Sequence, residues 1–265
     1  MLKPILCPCL SALLAAIVVF CLSADAPAQT QNSAIASIVV SPRTASGISQ
    51  PVTDAIQLGD SLVSQRRYEE AIDAYSQASQ KTAAVWNRLG IAYQLMSNTS
   101  QAERCYKQSL KLDPRNSLAL NNLGTIAASF HEYDAAERLA RKALQIDPQF
   151  ATGYKNLGTI LIAEHKLKQG QEAYAKAMAL NPDVFFTRNK PRIDNAAPAH
   201  DRGAMNYSIA AACARAGQTG CALEYLRTSM NEGFADSKSV AADTQFAALS
   251  NDPGFRKLLA EESGR

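Results

Sequence analysis

Residues 83–116 read AAVWNRLGIAYQLMSNTSQAERCYKQSLKLDPRN, and the landmarks of this stretch return in the chain that follows. Leu89-Gly90 recurs as Leu123-Gly124 and Leu157-Gly158, and Asp113-Pro114 recurs as Asp147-Pro148 and Asn181-Pro182, each step being 34 residues. A bulky residue precedes each Leu-Gly pair (Trp86, Leu120, Tyr154), and a small one follows each glycine by twelve positions (Ala102, Ala136, Gly170). Such a period describes a helical hairpin that cannot bury its own apolar face and so stacks on its neighbours.

These residues resemble the tetratricopeptide repeat, whose pattern is a bulky residue, Leu-Gly, an aromatic, Ala, an aromatic, Ala and Pro. Residues 83–116 match best, with Trp86, Leu89, Gly90, Tyr93, Ala102, Tyr106 and Pro114 in place and Ser109 at the second small position. The next copy has Ala127 and Ala140 where aromatics are usual, and the one after it keeps Tyr154, Tyr174, Ala177 and Pro182. The resemblance implies an all-α, right-handed α-α superhelix whose activity is binding, without naming a partner.

An earlier repeat starts near Val52, with Leu58-Gly59, Ala71, Tyr75 and Ala78 in the equivalent positions; it has no closing proline, and Gly59 to Gly90 is only 31 residues. In each copy the Leu-Gly glycine and the small residue opposite it are expected to let two helices cross closely, at a helix-propensity cost of roughly 1 kcal/mol. Ser100-Gln101-Ala102-Glu103 has the spacing of a capping box. Pro114, Pro148 and Pro182 are expected to stop the second helix of their hairpins.

Lys3, an apolar run from Leu10 to Leu22 and Ala26-Pro27-Ala28 read as a secretory signal peptide over residues 1–28, too short in its apolar core to span a bilayer. The expectation is an exported, periplasmic or secreted protein with no membrane span once the signal is removed. Residues 29–51 are rich in Ser, Thr, Gln and Ala and read as a flexible tether. A formal charge of +3 and 47% hydrophobic residues demand neither nucleic acid nor an acidic membrane. Signal removal leaves Cys105, Cys213 and Cys221. Cys213 and Cys221 flank the turn Ala216–Gly220, where an antiparallel hairpin brings them within reach of a disulfide; two reduced cysteines filling tight helix contacts are the alternative.

Four hairpins are thus expected over 52–184, a loop over 185–200 carrying Arg188, Lys190 and Arg192, a fifth hairpin over 201–234, and capping helices over 235–265. The last two segments resemble the closing part of exported bacterial proteins of the same repeat family. Phe246, Leu249, Phe255, Leu258 and Leu259 are expected to face inward from two short helices, the second opening at Asp252-Pro253.

The family's groove positions, counted from Leu-Gly, fall on the first helix of each hairpin. They select Asn87, Arg88 and Ile91, then Asn121 and Asn122, then Lys155, Asn156 and Thr159 as a peptide-binding groove rich in amides that both donate and accept. The family's chaperone-binding arrangement for a C-terminal carboxylate is not reproduced at Asn87, Ile91, Asn122, Thr152 and Asn156. His131, His165 and His200 lack metal-ligand spacing, and no phosphate loop or nucleophile elbow is present, so no cofactor and no catalysis are expected. The expected function is a protein-interaction scaffold of the cell envelope with a protein or peptide partner. A carbohydrate- or peptidoglycan-associated accessory module is the alternative, and residues 29–50 or 185–200 lying in the groove is a third reading.

Overall fold

The computed structural model describes residues 51–185 and 199–263; the expected signal peptide, most of the tether and residues 186–198 of the expected loop lie outside them. The described elements are α1 (Pro51–Ser64), α2 (Tyr68–Ser76), α3 (Ala83–Leu95), α4 (Thr99–Leu112), α5 (Ser117–Ser129), α6 (Tyr133–Ile146), α7 (Ala151–Ala163), α8 (Leu167–Leu180), α9 (Ala199–Arg215), α10 (Thr219–Asn231) and α11 (Ser237–Ala242). A 3₁₀ turn (Thr244–Leu249) and α12 (Pro253–Ser263) complete them. No strand occurs among the described residues.

The turn inside each hairpin is one repeated device. Arg66, Ser97, His131, His165 and Gly217 take φ values of 63, 60, 62, 60 and 73°, and the next amide reaches back across the turn. Arg67 N bonds Leu62 O, Asn98 N bonds Tyr93 O, Glu132 N bonds Ala127 O, Lys166 N bonds Leu161 O and Gln218 N bonds Cys213 O, all at 2.8–2.9 Å. This left-handed termination satisfies carbonyls that the helix end would leave bare. His131 and His165 are therefore turn residues.

Between hairpins the stop signals act as the sequence predicts. Asp113, Asp147 and Asn181 are extended, with φ of −137, −127 and −147°, each just ahead of a proline. The first hairpin has no such proline, and α2 spans only 9 residues against 14 for α4. There the Lys81 ammonium closes the helix instead, donating to Ser76 O at 2.6 Å and Ala78 O at 3.0 Å.

Two local expectations are corrected. The cap of α4 is Asn98, whose side chain accepts from Gln101 N, and Ser100 lies inside the helix; the left-handed turn at Ser97 brings the chain into the helix two residues earlier than the capping-box spacing implies. The glycine of Leu-Gly chiefly clears an aromatic ring rather than the small residue opposite. A Cβ on Gly90 would sit 2.4 Å from Tyr106 Cε1, and Gly59 and Gly158 meet Tyr75 and Tyr174 in the same way. Gly124 faces no ring because Ala140 stands there, and its nearest neighbour is Ala136 O at 3.2 Å.

Each second helix packs on its own partner and on the first helix of the next hairpin, and α3, α5, α7 and α9 also touch in succession. These first helices therefore share one face of the stack. The core repeats with them: Leu89, Leu123 and Leu157 are 3, 9 and 5% exposed, while the equivalent Leu58 of α1, with no described hairpin before it, is 54% exposed. Ser109 and Ser229 occupy matching buried sites and donate to Ala83 O, at the start of α3, and to Gly203 O, about one turn into α9, at 2.7 and 2.8 Å.

At the other end Phe246, Leu249, Phe255 and Leu258 are buried as expected, and Leu259 is half-buried. The expected pair of capping helices is joined by a further element, the 3₁₀ turn that carries Phe246 and Leu249. Asp236 and Ser239 form a reciprocal cap at α11, and Phe255 N bonds Asp252 Oδ1 at 3.0 Å to open α12. Such a lid covers the apolar face that an end repeat would otherwise expose.

Candidate functional site

The face shared by the first helices holds the residues the sequence selects, and most of them are bonded across hairpins. Asn156 Nδ2 donates to Asn121 Oδ1 at 3.0 Å, Asn121 Nδ2 to Asn122 Oδ1 at 3.4 Å, and Asn122 Nδ2 to Asn87 Oδ1 at 3.2 Å. Four primary amides thus form one directional chain across three hairpins. Asn87 and Asn121 are 5 and 4% exposed, whereas Asn122 and Asn156 are half-buried. Among the described residues, Asn87 Nδ2 and Asn156 Oδ1 have no partner and end the chain with one open donor and one open acceptor.

The other selected residues surround this chain. Arg88 Nε reaches Asp60 Oδ1 at 2.9 Å, tying the second hairpin to the first, and Tyr75 donates to the same carboxylate oxygen at 2.6 Å. Burial, then the Asp60 carboxylate, pushes the Tyr75 phenol up. Ile91 is half-buried beside Tyr106, Leu123 and Ile126. Thr159 Oγ1 lies 2.8 Å from the Tyr174 hydroxyl and donates to Lys155 O at 3.2 Å. Lys155 Nζ stands 5.8 Å over the ring of Phe185, which packs edge-on against Tyr174 at 5.2 Å.

The sequence reading did not single out Asp60, Tyr75 or Phe185 for this face. The first two had a signal: Asp60 and Tyr75 are 15 residues apart, as are Thr159 and Tyr174, so each tyrosine reaches a polar residue beside the Leu-Gly glycine. Gln94 does the same for Tyr106, accepting at 2.7 Å, and its amide donates on to Thr125 of the next hairpin at 3.4 Å.

Cys213 and Cys221 lie at facing ends of α9 and α10 with Cα atoms 5.8 Å apart, and the structure joins their sulfurs. That separation is within the usual disulfide range. Cys105 is buried, and burial pushes its thiol up to about 11, where the reactive thiolate is scarce at neutral pH. Among the described residues no group of three His, Cys, Asp or Glu side chains is placed to hold a metal ion, and no helix is long and apolar enough to cross a membrane.

Repeated helix pairs, a common terminator and stacked first helices define an all-α helical-hairpin solenoid. Tetratricopeptide repeat models match residues 83–116 and 105–138, so that stretch of the solenoid is built of tetratricopeptide repeats. PilF of Pseudomonas aeruginosa has a similar structure, with a TM-score of 0.52 and 20% identity over 80% of this chain and 88% of that one. MamA is more distant, one structure giving 0.45 at 20% identity over 69 and 91% of the two chains. Another MamA structure gives 0.46 at 18% identity over 74 and 100%. At its identity PilF speaks for the fold alone, and the MamA values support nothing further. No curated protein matches by sequence.

Proposed function

We propose that the protein is a non-catalytic interaction scaffold that takes a peptide or partner segment on the face of α3, α5 and α7. The observation that carries this reading is the composition of that face. It is held in shape by its own cross-hairpin bonds, yet it leaves Asn156 Oδ1 open, Leu118 exposed and Ile91 and Thr125 half-exposed, while Asn87 is buried beneath it. A preformed surface loses little conformational freedom on binding. The open Asn156 carbonyl suits one N–H of a bound main chain, while Ile91 and Leu118 supply apolar contact.

The expected site of action is the cell envelope, which rests on the signal-like residues 1–28. In an oxidising compartment Cys213 and Cys221 would be bonded and would clamp the last hairpin to itself. The N-terminus of the mature protein tests the location: mass spectrometry should find Gln29 first, and recovery of intact residues 1–28 would refute export by cleavage.

The binding reading is tested by affinity capture from envelope extracts with Ile91→Glu/Leu118→Glu as the control. Because Leu118 is exposed and Ile91 only half-buried, the double variant should keep its helical circular dichroism and lose the captured partner. Equal recovery with the folded double variant would remove this face from consideration.

A further inference from the structure

Glu164 ends α7 at the position where α3 and α5 end in Met96 and Phe130. Those two side chains are exposed, but the Glu164 side chain is only 9% exposed. It belongs to a cluster that joins the third and fourth hairpins. Glu137 of α6 accepts from Arg141 Nε at 2.6 Å and from Lys166 Nζ at 2.7 Å, and Lys166 Nζ also reaches Glu164 Oε1 at 3.2 Å. The second Glu164 oxygen, Oε2, is buried and meets no donor.

An ionised carboxylate with one oxygen cut off from both water and donors is strongly disfavoured. Lys166 Nζ, 2.7 Å from Glu137 Oε2 and 3.2 Å from Glu164 Oε1, is shared between the two acids. A carboxylate can only accept, so with no donor at Oε2 a proton there removes the charge that burial disfavours. We propose that Glu164 is held neutral, with its proton on Oε2, while Lys166 spans it and the ionised Glu137, making the joint between the third and fourth hairpins a proton-operated clasp.

The assignment of the proton follows from the neighbours. Lys166, then Arg141, hold Glu137 down to about 2, while burial pushes Glu164 up. The charged groups that face Glu164 are Glu137 and Arg141 of α6 and Lys166 at the start of α8; His165 beside it is exposed. Removing the proton sets two carboxylates against each other with one lysine between them. Because the folded state raises the affinity of Glu164 for its proton, this contribution is complete below the ordinary glutamate range and is lost as pH rises through the folded value. The same joint carries the Asn156–Asn121 bond, so loosening it reaches the face of α5 and α7.

Thermal unfolding of the full chain with Glu164→Gln and Glu164→Ala, at pH values from about 5 to about 8.5, tests the clasp alongside ¹³C NMR of the glutamate carboxyls. Glutamine reproduces the neutral acid, its carbonyl accepting from Lys166. It should hold Tm within about 2 °C of the parent at acid pH and exceed the parent at alkaline pH, while alanine lowers Tm throughout. The Glu164 carboxyl should titrate above the ordinary value of about 4.3. A Glu164 midpoint at or below that value, or a glutamine variant as weak as the alanine one at acid pH, would overturn the proposal. Should the alanine variant not fold, the NMR midpoint and the glutamine profile still decide it.

Discussion

At the scale of single residues, two backbone positions make sharp claims. Gly90 abuts a fully buried tyrosine ring, whereas Gly124 faces only a backbone oxygen at 3.2 Å. Gly90→Ala should therefore cost about 1–3 kcal/mol through overpacking. For Gly124→Ala the roughly 1 kcal/mol gain in helix propensity should offset most of a small local strain. Urea unfolding of the two variants should separate them clearly; equal losses would show that the tyrosine is not what the glycine accommodates. Ser97 holds a φ of 60° with no side-chain bond among the described residues. Relief of the left-handed conformation is worth about 1 kcal/mol or more, and a glycine's extra freedom in the unfolded chain returns part of it. Ser97→Gly should thus stabilise the protein by about 0.5 kcal/mol in the same assay, and a loss of stability would mean that the turn is set by something other than φ.

At the scale of elements, the hairpin-to-hairpin joints differ in chemistry. Between the third and fourth, Glu137 is held well below the carboxylate range by Lys166 and Arg141. Its stabilising contribution is present above the ordinary glutamate value and lost as pH falls toward about 2. Glu137→Gln should accordingly be less stable than the parent at neutral pH, and the gap should close on acidification; a gap that does not depend on pH would show that the ion pairs contribute nothing. In the fifth hairpin, Cys213 and Cys221 are joined. The denatured, unreduced chain from Gln29 onward should present one reactive thiol, that of Cys105, and three would contradict the bridge. Reduction should lower stability by about 2 kcal/mol, since the closed loop is short.

Much of this level was legible beforehand, for physical reasons. Period and proline placement dictate where α4, α6 and α8 end, because a proline cannot continue a helix whatever surrounds it. The cap of α4 was misplaced because Ser100 has the right chemistry, and only the left-handed turn at Ser97 reveals that Asn98 gets there first. The lysine that closes α2 and the ring of Phe185 under Lys155 depend on single side chains reaching across turns, which no repeat pattern encodes.

For the whole molecule, the consequence is that the asparagines join the stack together as well as furnish its face. Asn87 pairs with Asn122 and Asn121 with Asn156, each pair 35 residues apart, one more than the repeat. Comparing equivalent positions aligns residues 34 apart and so sets Asn87 beside Asn121 and Asn122 beside Asn156; the true partners are a forward-facing residue and a backward-facing one in the next hairpin. The face was legible as amide-rich, but its internal bonding needed the stacking geometry. A stack whose asparagines hold neighbouring hairpins together should stiffen or loosen as a unit.

The most direct test of this claim is a double-mutant cycle on Asn121→Ala and Asn156→Ala, read by chemical denaturation of the full chain. If the two amides bond across the third and fourth hairpins, their losses should be non-additive by about 0.5–1.5 kcal/mol. Strictly additive losses would mean that the asparagines stand independently on the surface, and the chain of amides would not be what holds these hairpins in register.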